Sequence, residues 1–313
     1  MHRHDLHQRP HPNAHSAGNG GRIITVSVGI IGAGKVGGTL ARLWFERGYR
    51  ISAVYSRSPE RAAALAERVE AQVVPAAADV VDYADLTVIA VPDDVIETVA
   101  AALAVADWTG KAAVHTAGSR DSAALAVLQS RGGLVGTLHP AFPFADVETA
   151  VQRLPGAAFA LEADDPRLYG WLTDLVAALD GHPIRIPPGQ KALYHAALVI
   201  ASNYAVTLYA AAEALLLRLG AGREQADTAL NALVAGTVEN LRTKGIPDAL
   251  TGPLTRADVT TIGSHLRALA DDPALAEIYV ALARQTYPLL EARGLSTDRI
   301  EMLLRGYHAS EHP

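Results

Sequence analysis

From residue 26 onward the apolar positions alternate between short β-branched runs and stretches at helical spacing. Residues 26–31 form the first run, followed by Gly32-Ala33-Gly34-Lys35-Val36-Gly37-Gly38. Leu40, Leu43 and Trp44 then recur with a helical period, and Gly48 stands where a helix would close. Residues 51–55 predict a second strand. Ser58-Pro59-Glu60 supplies a cap, a proline at the first helical position and an early acid, predicting a helix to about residue 70. Residues 88–91, ended by Pro92, predict a third strand, and 112–116, 134–138, 157–161 and 183–186 predict later ones, with helical stretches between most of them. Strands that alternate with helices in this way predict an α/β fold, a mostly parallel sheet covered on both faces.

The strands stop after Pro187-Pro188-Gly189. Residues 190–219 are rich in Ala and Leu with no breaker before Gly220, which predicts a single helix about 45 Å long. Residues 223–242, 258–270 and 273–293 continue the helical pattern, with a kink or break expected at Pro288. A domain boundary near Pro187 therefore separates a sheet domain, residues 23–187, from an all-helical domain, residues 188–313. The first 22 residues hold five of the twelve histidines, two prolines and no apolar core of a secretion signal. They predict a disordered tail, outside both fold and site.

Composition narrows the classes of function. The 313 residues are 50% apolar and 19% charged, with no cysteine and a formal net charge of −6. Absence of cysteine removes disulfide scaffolds, zinc ribbons, thiol nucleophiles and iron–sulfur clusters. The acidic balance argues against nucleic acid as a partner. No uninterrupted apolar run reaches the ~18 residues of a membrane span. A soluble, cytoplasmic protein is expected.

Gly32-x-Gly34-x-x-Gly37 is a weak motif alone and a stronger one here, because it follows a predicted strand and opens a helix. Gly32 permits the tight turn, Gly34 admits a pyrophosphate close to the backbone, and Gly37 lets helix and strand pack closely. The diphosphate would rest on the helix start, at Lys35 and Val36, where unpaired N–H groups and the dipole favour negative charge. At the end of the second strand an NAD enzyme usually carries an acid for the ribose hydroxyls. Here the chain reads Ser56-Arg57-Ser58, two hydroxyls and a guanidinium suited to a 2′-phosphate, so NADP is the expected cofactor. Val91, Pro92 and Asp93 fall where another strand meets the cofactor crevice.

Only four of the 27 basic residues are lysines. One, Lys191, opens the long predicted helix; on an unbroken helix His195 lies about 40° from it, Ser202 about 20° and Asn203 about 120°. Lys191 and His195 can jointly serve a carbonyl oxygen as proton donor and hydrogen-bond partner. A lone His195 would more often be structural. His115 and His139 each end a predicted strand and are candidate substrate contacts, although His139-Pro140 also reads as a turn anchor. Arg256 can clamp a carboxylate or simply pair with Asp258.

These features resemble the 6-phosphogluconate-dehydrogenase-like superfamily, a Rossmann domain followed by a helical domain whose first helix starts with lysine. In its ketopantoate reductases and hydroxyacid dehydrogenases, Lys-x-x-x-Asn carries a catalytic lysine and a substrate-binding amide; here Lys191-Ala-Leu-Tyr-His195 keeps the lysine and replaces the asparagine. More closely, the chain resembles a bacterial family of NADP oxidoreductase type with a helical domain of unassigned function. That likeness rests on His115-Thr-Ala-Gly118, Leu138-His139-Pro140, Tyr194-His195-Ala-Ala, Ala201-Ser202-Asn203-Tyr204 and Leu250-Thr251-Gly252-Pro253-Leu-Thr-Arg256-Ala-Asp258. The last segment also resembles, in part, a turn of pyrroline-5-carboxylate reductases. The resemblance implies an NADPH-dependent reductase of a small 2-oxo carboxylate, ketopantoate reductase-like, dimeric through its helical domain and needing no metal. Lys191, His195 and Asn203 would be catalytic, with His115, His139, Ser202, Thr251 and Arg256 at the substrate. The alternatives are an imine reductase of pyrroline-carboxylate type and a non-catalytic NADP-binding sensor or scaffold.

Overall fold

The computed structural model describes residues 26–309, so the histidine-rich stretch 1–22 lies outside the described residues. The chain divides into two compact units between Val199 and Ile200. The first contains β1 (Val28–Ile31), α1 (Lys35–Glu46), β2 (Ile51–Tyr55), α2 (Pro59–Arg68), β3 (Gln72–Val73), α3 (Val80–Tyr83), β4 (Leu86–Ile89) and α4 (Ile96–Leu103). It continues with β5 (Ala112–His115), α5 (Ala126–Gln129), β6 (Leu134–Pro140), α6 (Val147–Arg153), β7 (Ala158–Ala163), α7 (Pro166–Ala177) and β8 (His182–Arg185). The strands form one sheet in the order β3-β2-β1-β4-β5-β6-β7-β8. All neighbours are parallel except β6 and β7, where His139 faces Ala160 and Thr137 faces Glu162. The strand expected at 88–91 begins and ends two residues earlier, and the two-residue β3 carried too short a pattern to read.

Period-two alternation sends each strand's side chains to two separate cores. Val28, Ile30, Leu86, Val88 and Val114 pack on one face with Leu40 and Trp44 of α1. Ile31, Ile89 and Ala113 pack on the other with Ile96, Ala100 and Leu103 of α4. Both faces of the central strands are therefore dry, as a parallel sheet requires. Ser58 caps α2 by accepting from the Arg61 N–H at 3.3 Å, and Gly48 closes α1 with a positive φ of 86°.

The long helix expected over 190–219 is two helices. α8 (Lys191–Ala201) and α9 (Asn203–Arg218) are separated at Ser202, whose backbone (φ −115°, ψ −67°) is distorted from regular helix. Extrapolating one helical register through Ser202 and Asn203 is thus corrected. The unit division falls near the end of α8. By length and composition, Lys191–Arg218 is apolar enough to cross a membrane, although polar residues interrupt it as expected.

The second unit holds α9, α10 (Arg223–Lys244), α11 (Val259–Ala268), α12 (Pro273–Gln285), α13 (Tyr287–Ala292) and α14 (Asp298–Ala309). The expected break falls just before Pro288, between α12 and α13. Ile262, Leu266, Val280, Leu290, Ile300 and Leu304 build a core among the last four helices. α9 and α10 meet through Tyr209, whose hydroxyl donates to Asp227 Oδ1 at 3.4 Å.

Candidate functional site

At the carboxyl end of β1 the glycine turn opens onto a cavity of about 470 Å³. Gly32 has φ +107°, and a Cβ there would stand 2.2 Å from the Ala90 carbonyl oxygen, so only glycine fits. A Cβ at Gly37 would meet the Gly32 carbonyl oxygen at 2.1 Å, which makes Gly37 the packing glycine. A Cβ at Gly34 would meet nothing within 4 Å, leaving room for a ligand against the backbone. The cavity is lined by Gly32, Gly34, Ser56, Arg57, Ser58, Val91 and Pro92, all expected from the sequence. Arg61 and Thr98 line it as well and were missed, because the glycine motif says nothing about the first turns of α2 and α4, which carry them. No carboxylate is among the lining residues. Lys35, Val36, Gly37 and Asp93 do not line the cavity. The Asp93 carboxylate instead accepts from Ser119 Oγ at 2.9 Å, and Ser58 Oγ, besides capping α2, donates to Glu60 at 2.8 Å. The open Gly34 backbone, the start of α1 and two guanidiniums fit a dinucleotide carrying a phosphate on its ribose.

A second cluster lies at the ends of β5 and β6. Lys191 is 1% exposed, yet among the described residues its Nζ has no hydrogen-bond partner. The ammonium is 5.4 Å from the centroid of the Tyr194 ring. Burial pulls its pKa down to about 8, opposed by the carboxylates of Glu162, Asp93 and Asp121. Glu162 is itself buried on β7 and accepts from Ser122 Oγ at 2.8 Å. His139 Nδ1 lies 2.9 Å from the Tyr194 hydroxyl. Burial above all, then Lys191, His195 and His115, push the His139 pKa down to about 3, so the ring is neutral. Burial raises the Tyr194 phenol to about 12. His195 Nδ1 is buried and has no hydrogen-bond partner among the described residues. Buried, unsatisfied polar atoms are rare in a folded chain and costly; two of them, on α8, at a sheet's carboxyl edge mark a place built for a ligand.

The other expected residues divide. His115 is corrected as a substrate contact: its Nε2 is 2.9 Å from the Asp121 carbonyl and its Nδ1 accepts from the Ala117 N–H at 3.2 Å. With both nitrogens occupied by backbone, it shapes the loop that carries Gly118. Ser202, Asn203, Thr251 and Arg256 belong to the second unit. Asn203 starts α9, and Arg256 ends a short turn after Pro253. Its expected alternative partner, Asp258, uses its carboxylate to cap α11, accepting from the Thr261 N–H at 3.0 Å and its hydroxyl at 2.7 Å.

Comparison with known proteins bears on both regions. A family model described as NADP oxidoreductase, coenzyme F420-dependent, matches residues 27–118. A second, a domain of unknown function (DUF2520), matches residues 157–286 and so begins within the sheet. No curated protein matches the chain. A Bacteroides fragilis protein provisionally named an NADP oxidoreductase is 28% identical, with a TM-score of 0.63 over 84% of this chain and 98% of its own. A Thermotoga maritima protein is 24% identical at a TM-score of 0.70, over 85% of this chain and 99% of its own. An imine reductase from a Pseudomonas species is 19% identical at a TM-score of 0.60, over 84% and 95%. Residues 27–118 are therefore similar to an NADP oxidoreductase family, and residues 157–286 to a domain of unknown function.

Tyr194 is a member of this cluster that sequence reasoning passed over. It stands three residues after Lys191, on the same side of a helix, and that spacing was the available signal. Gly118 was quoted only as part of a signature.

Proposed function

We propose that the protein is an NADPH-dependent reductase acting on the carbonyl group of a small 2-oxo carboxylate. The observation that carries this reading is the buried, unpaired Lys191 ammonium among His139, His195 and Tyr194, in the unit that also holds the glycine-turn cavity. Gly32 and Gly34 would hold the diphosphate against the start of α1, and Arg57 with Arg61 would hold the 2′-phosphate, which favours NADP over NAD. When bound, the reduced cofactor supplies a hydride to the substrate's carbonyl carbon. Lys191 gives the oxygen its proton and is recharged from solvent. Its positive charge, unpaired within the protein, favours a substrate bearing a carboxylate. The same charge opposes a protonated imine, so C=O reduction is preferred to C=N reduction.

The test is NADPH consumption with ketopantoate, other 2-oxo acids and pyrroline carboxylate in parallel. Turnover with a 2-oxo acid supports the reading. Turnover with pyrroline carboxylate alone replaces it by imine reduction, and tight NADPH binding without turnover of any of them points to a sensor.

We further propose a cytoplasmic homodimer built on the second unit. Val234, Val238 and Leu241 are exposed along α10 at helical spacing, and this 22-residue helix is about 33 Å long. A second copy of the same face covers such a stripe by two-fold symmetry, over a length that suits a stable interface.

A further inference from the structure

Lys191 and Glu162 are the one ammonium and the one carboxylate buried among the described residues. They do not touch. Glu162 is held by Ser122, whose Oγ donates to it at 2.8 Å and whose backbone N–H donates at 3.3 Å. Lys191 Nζ has no hydrogen-bond partner among the described residues. The sheet nonetheless sets the two on one face. Glu162 of β7 is in register with Thr137 of β6, and Thr137 with His115 of β5. The three side chains therefore form a polar row on the face that meets Ser122 and the Asp121 carbonyl. His139 stands two residues further along β6, on that same face. Its Nδ1 lies 2.9 Å from the Tyr194 hydroxyl, and the Tyr194 ring is 5.4 Å from the Lys191 ammonium.

Lys191 is faced by the carboxylates of Glu162, Asp93 and Asp121, by the rings of His115 and His139, and by Tyr194 and His195 of its own helix. Burial lowers the pKa of both sheet histidines and raises that of the phenol to about 12, so these three are neutral. Of the carboxylates, Asp93 is exposed and Asp121 half-buried, and water screens them. Glu162 is shut away from water, so its field reaches further. We infer that Glu162 is the positioning residue that keeps the Lys191 ammonium charged, a fixed counter-charge acting across the sheet face without an ion pair. The inference rests on the reductase reading and deepens it, since Lys191 must carry a proton in order to give it. A contact ion pair would occupy the hydrogens that the substrate oxygen needs. A carboxylate held back by Ser122 supplies the attraction and leaves those hydrogens free. It offsets part of the cost of burying the ammonium and not all of it, because burial still wins at Lys191.

The experiment uses full-length protein labelled with ¹³C in the lysine side chain. Four lysines give four signals, and Lys191 is assigned by its loss in Lys191→Met. The parent Lys191 is expected to lose its proton at a midpoint of about 8. Glu162→Gln removes the charge and still accepts from Ser122 through its amide oxygen. Its Lys191 midpoint should fall by about one pH unit, a tenfold change in the proton equilibrium. Glu162→Asp keeps the charge and should restore about half of that fall or more. A Glu162→Gln midpoint equal to the parent's, or a Glu162→Asp midpoint as low as that of Glu162→Gln, would overturn the inference. Should Glu162→Gln not fold, the double variant Glu162→Leu with Ser122→Ala removes the carboxylate and its donor together and must show the same fall. Where a 2-oxo acid is turned over, the alkaline limit of kcat should move down in Glu162→Gln by the same amount as the midpoint. A limit that stayed in place would overturn the inference as well. The lysine signals need no turnover, so a protein that reduces no carbonyl would remove the reductase reading, while the midpoints would still decide whether Glu162 holds the charge on Lys191.

Discussion

Strands β1 and β4 have every residue buried, whereas α9 has none. The first unit closes around its own cores, with apolar side chains filling both faces of the sheet. The second carries apolar helices whose faces stay in the open: Val206 is 70% exposed, Leu233 67% and Val238 58%. Each anomaly is legible only against its own surroundings. In the first unit the misfit is a charge inside, because a sheet packed this completely does not bury an ammonium without a use for it. In the second the misfit is hydrocarbon outside, and what is missing is a surface to cover it.

The sharpest test of the first half of that contrast is Lys191→Ala. The rate of carbonyl reduction should fall by about 10²–10⁴, the usual worth of a positioned general acid, while NADPH affinity stays near the parent value. A parent-like rate would make the buried charge an accident of packing. The pH dependence sharpens it further. Lys191 must be protonated to donate, and its pKa is lowered to about 8. In the parent, kcat should be flat below that pH and fall about tenfold per unit above it. A rate that held level to pH 10 would exclude Lys191 as the donor.

A smaller loss is expected at the cavity rim. Arg57→Ala with Arg61→Ala should weaken NADPH about 10–100-fold and leave NADH nearly unchanged, measured by fluorescence titration. Equal loss for both cofactors would mean the guanidiniums serve the diphosphate or the fold. In the second unit, light scattering at micromolar concentration should give twice the chain mass. Val234→Asp with Val238→Asp should halve it, because two carboxylates cannot be buried in an apolar seam. A parent of single-chain mass would break the comparison, since the apolar faces would then be tolerated bare.

The glycine turn, the parallel sheet and Lys191 were all legible from local pattern, because a tight turn, a dry strand and a rare residue each leave a mark within a few positions. Ser202 was not. Its break interrupts a run of Ala, Leu and Val that has no glycine or proline, so propensity alone favours continuation. His115 failed for a different reason. Its place at a strand end matches that of a ligand contact, and only the loop's backbone at Ala117 and Asp121 shows that its nitrogens are already used. The close packing of His139 and His195 against Gly118 was illegible because it joins residues from β6 and α8 that are distant in the chain, and sequence spacing carries no information about their convergence.

The last expected effect is on stability, and it has the opposite sign from the loss of activity. Unfolding returns Lys191 from a pKa of about 8 to its ordinary 10.5. Between those values the unfolded chain binds more protons than the folded one, so stability rises with pH across that window. Below pH 8 the folded chain bears the full cost of a buried ammonium. Lys191→Met keeps the length of the side chain and removes the charge, so at pH 7 it should be more stable than the parent by about 1–3 kcal/mol in urea unfolding. The advantage should shrink as pH rises from 8 and vanish above about 10.5, where the parent is neutral in both states. A variant less stable than the parent at pH 7 would show that Nζ has a partner in solution. The first unit would then bury a satisfied ion, and its contrast with the uncovered helices of the second would lose its functional meaning.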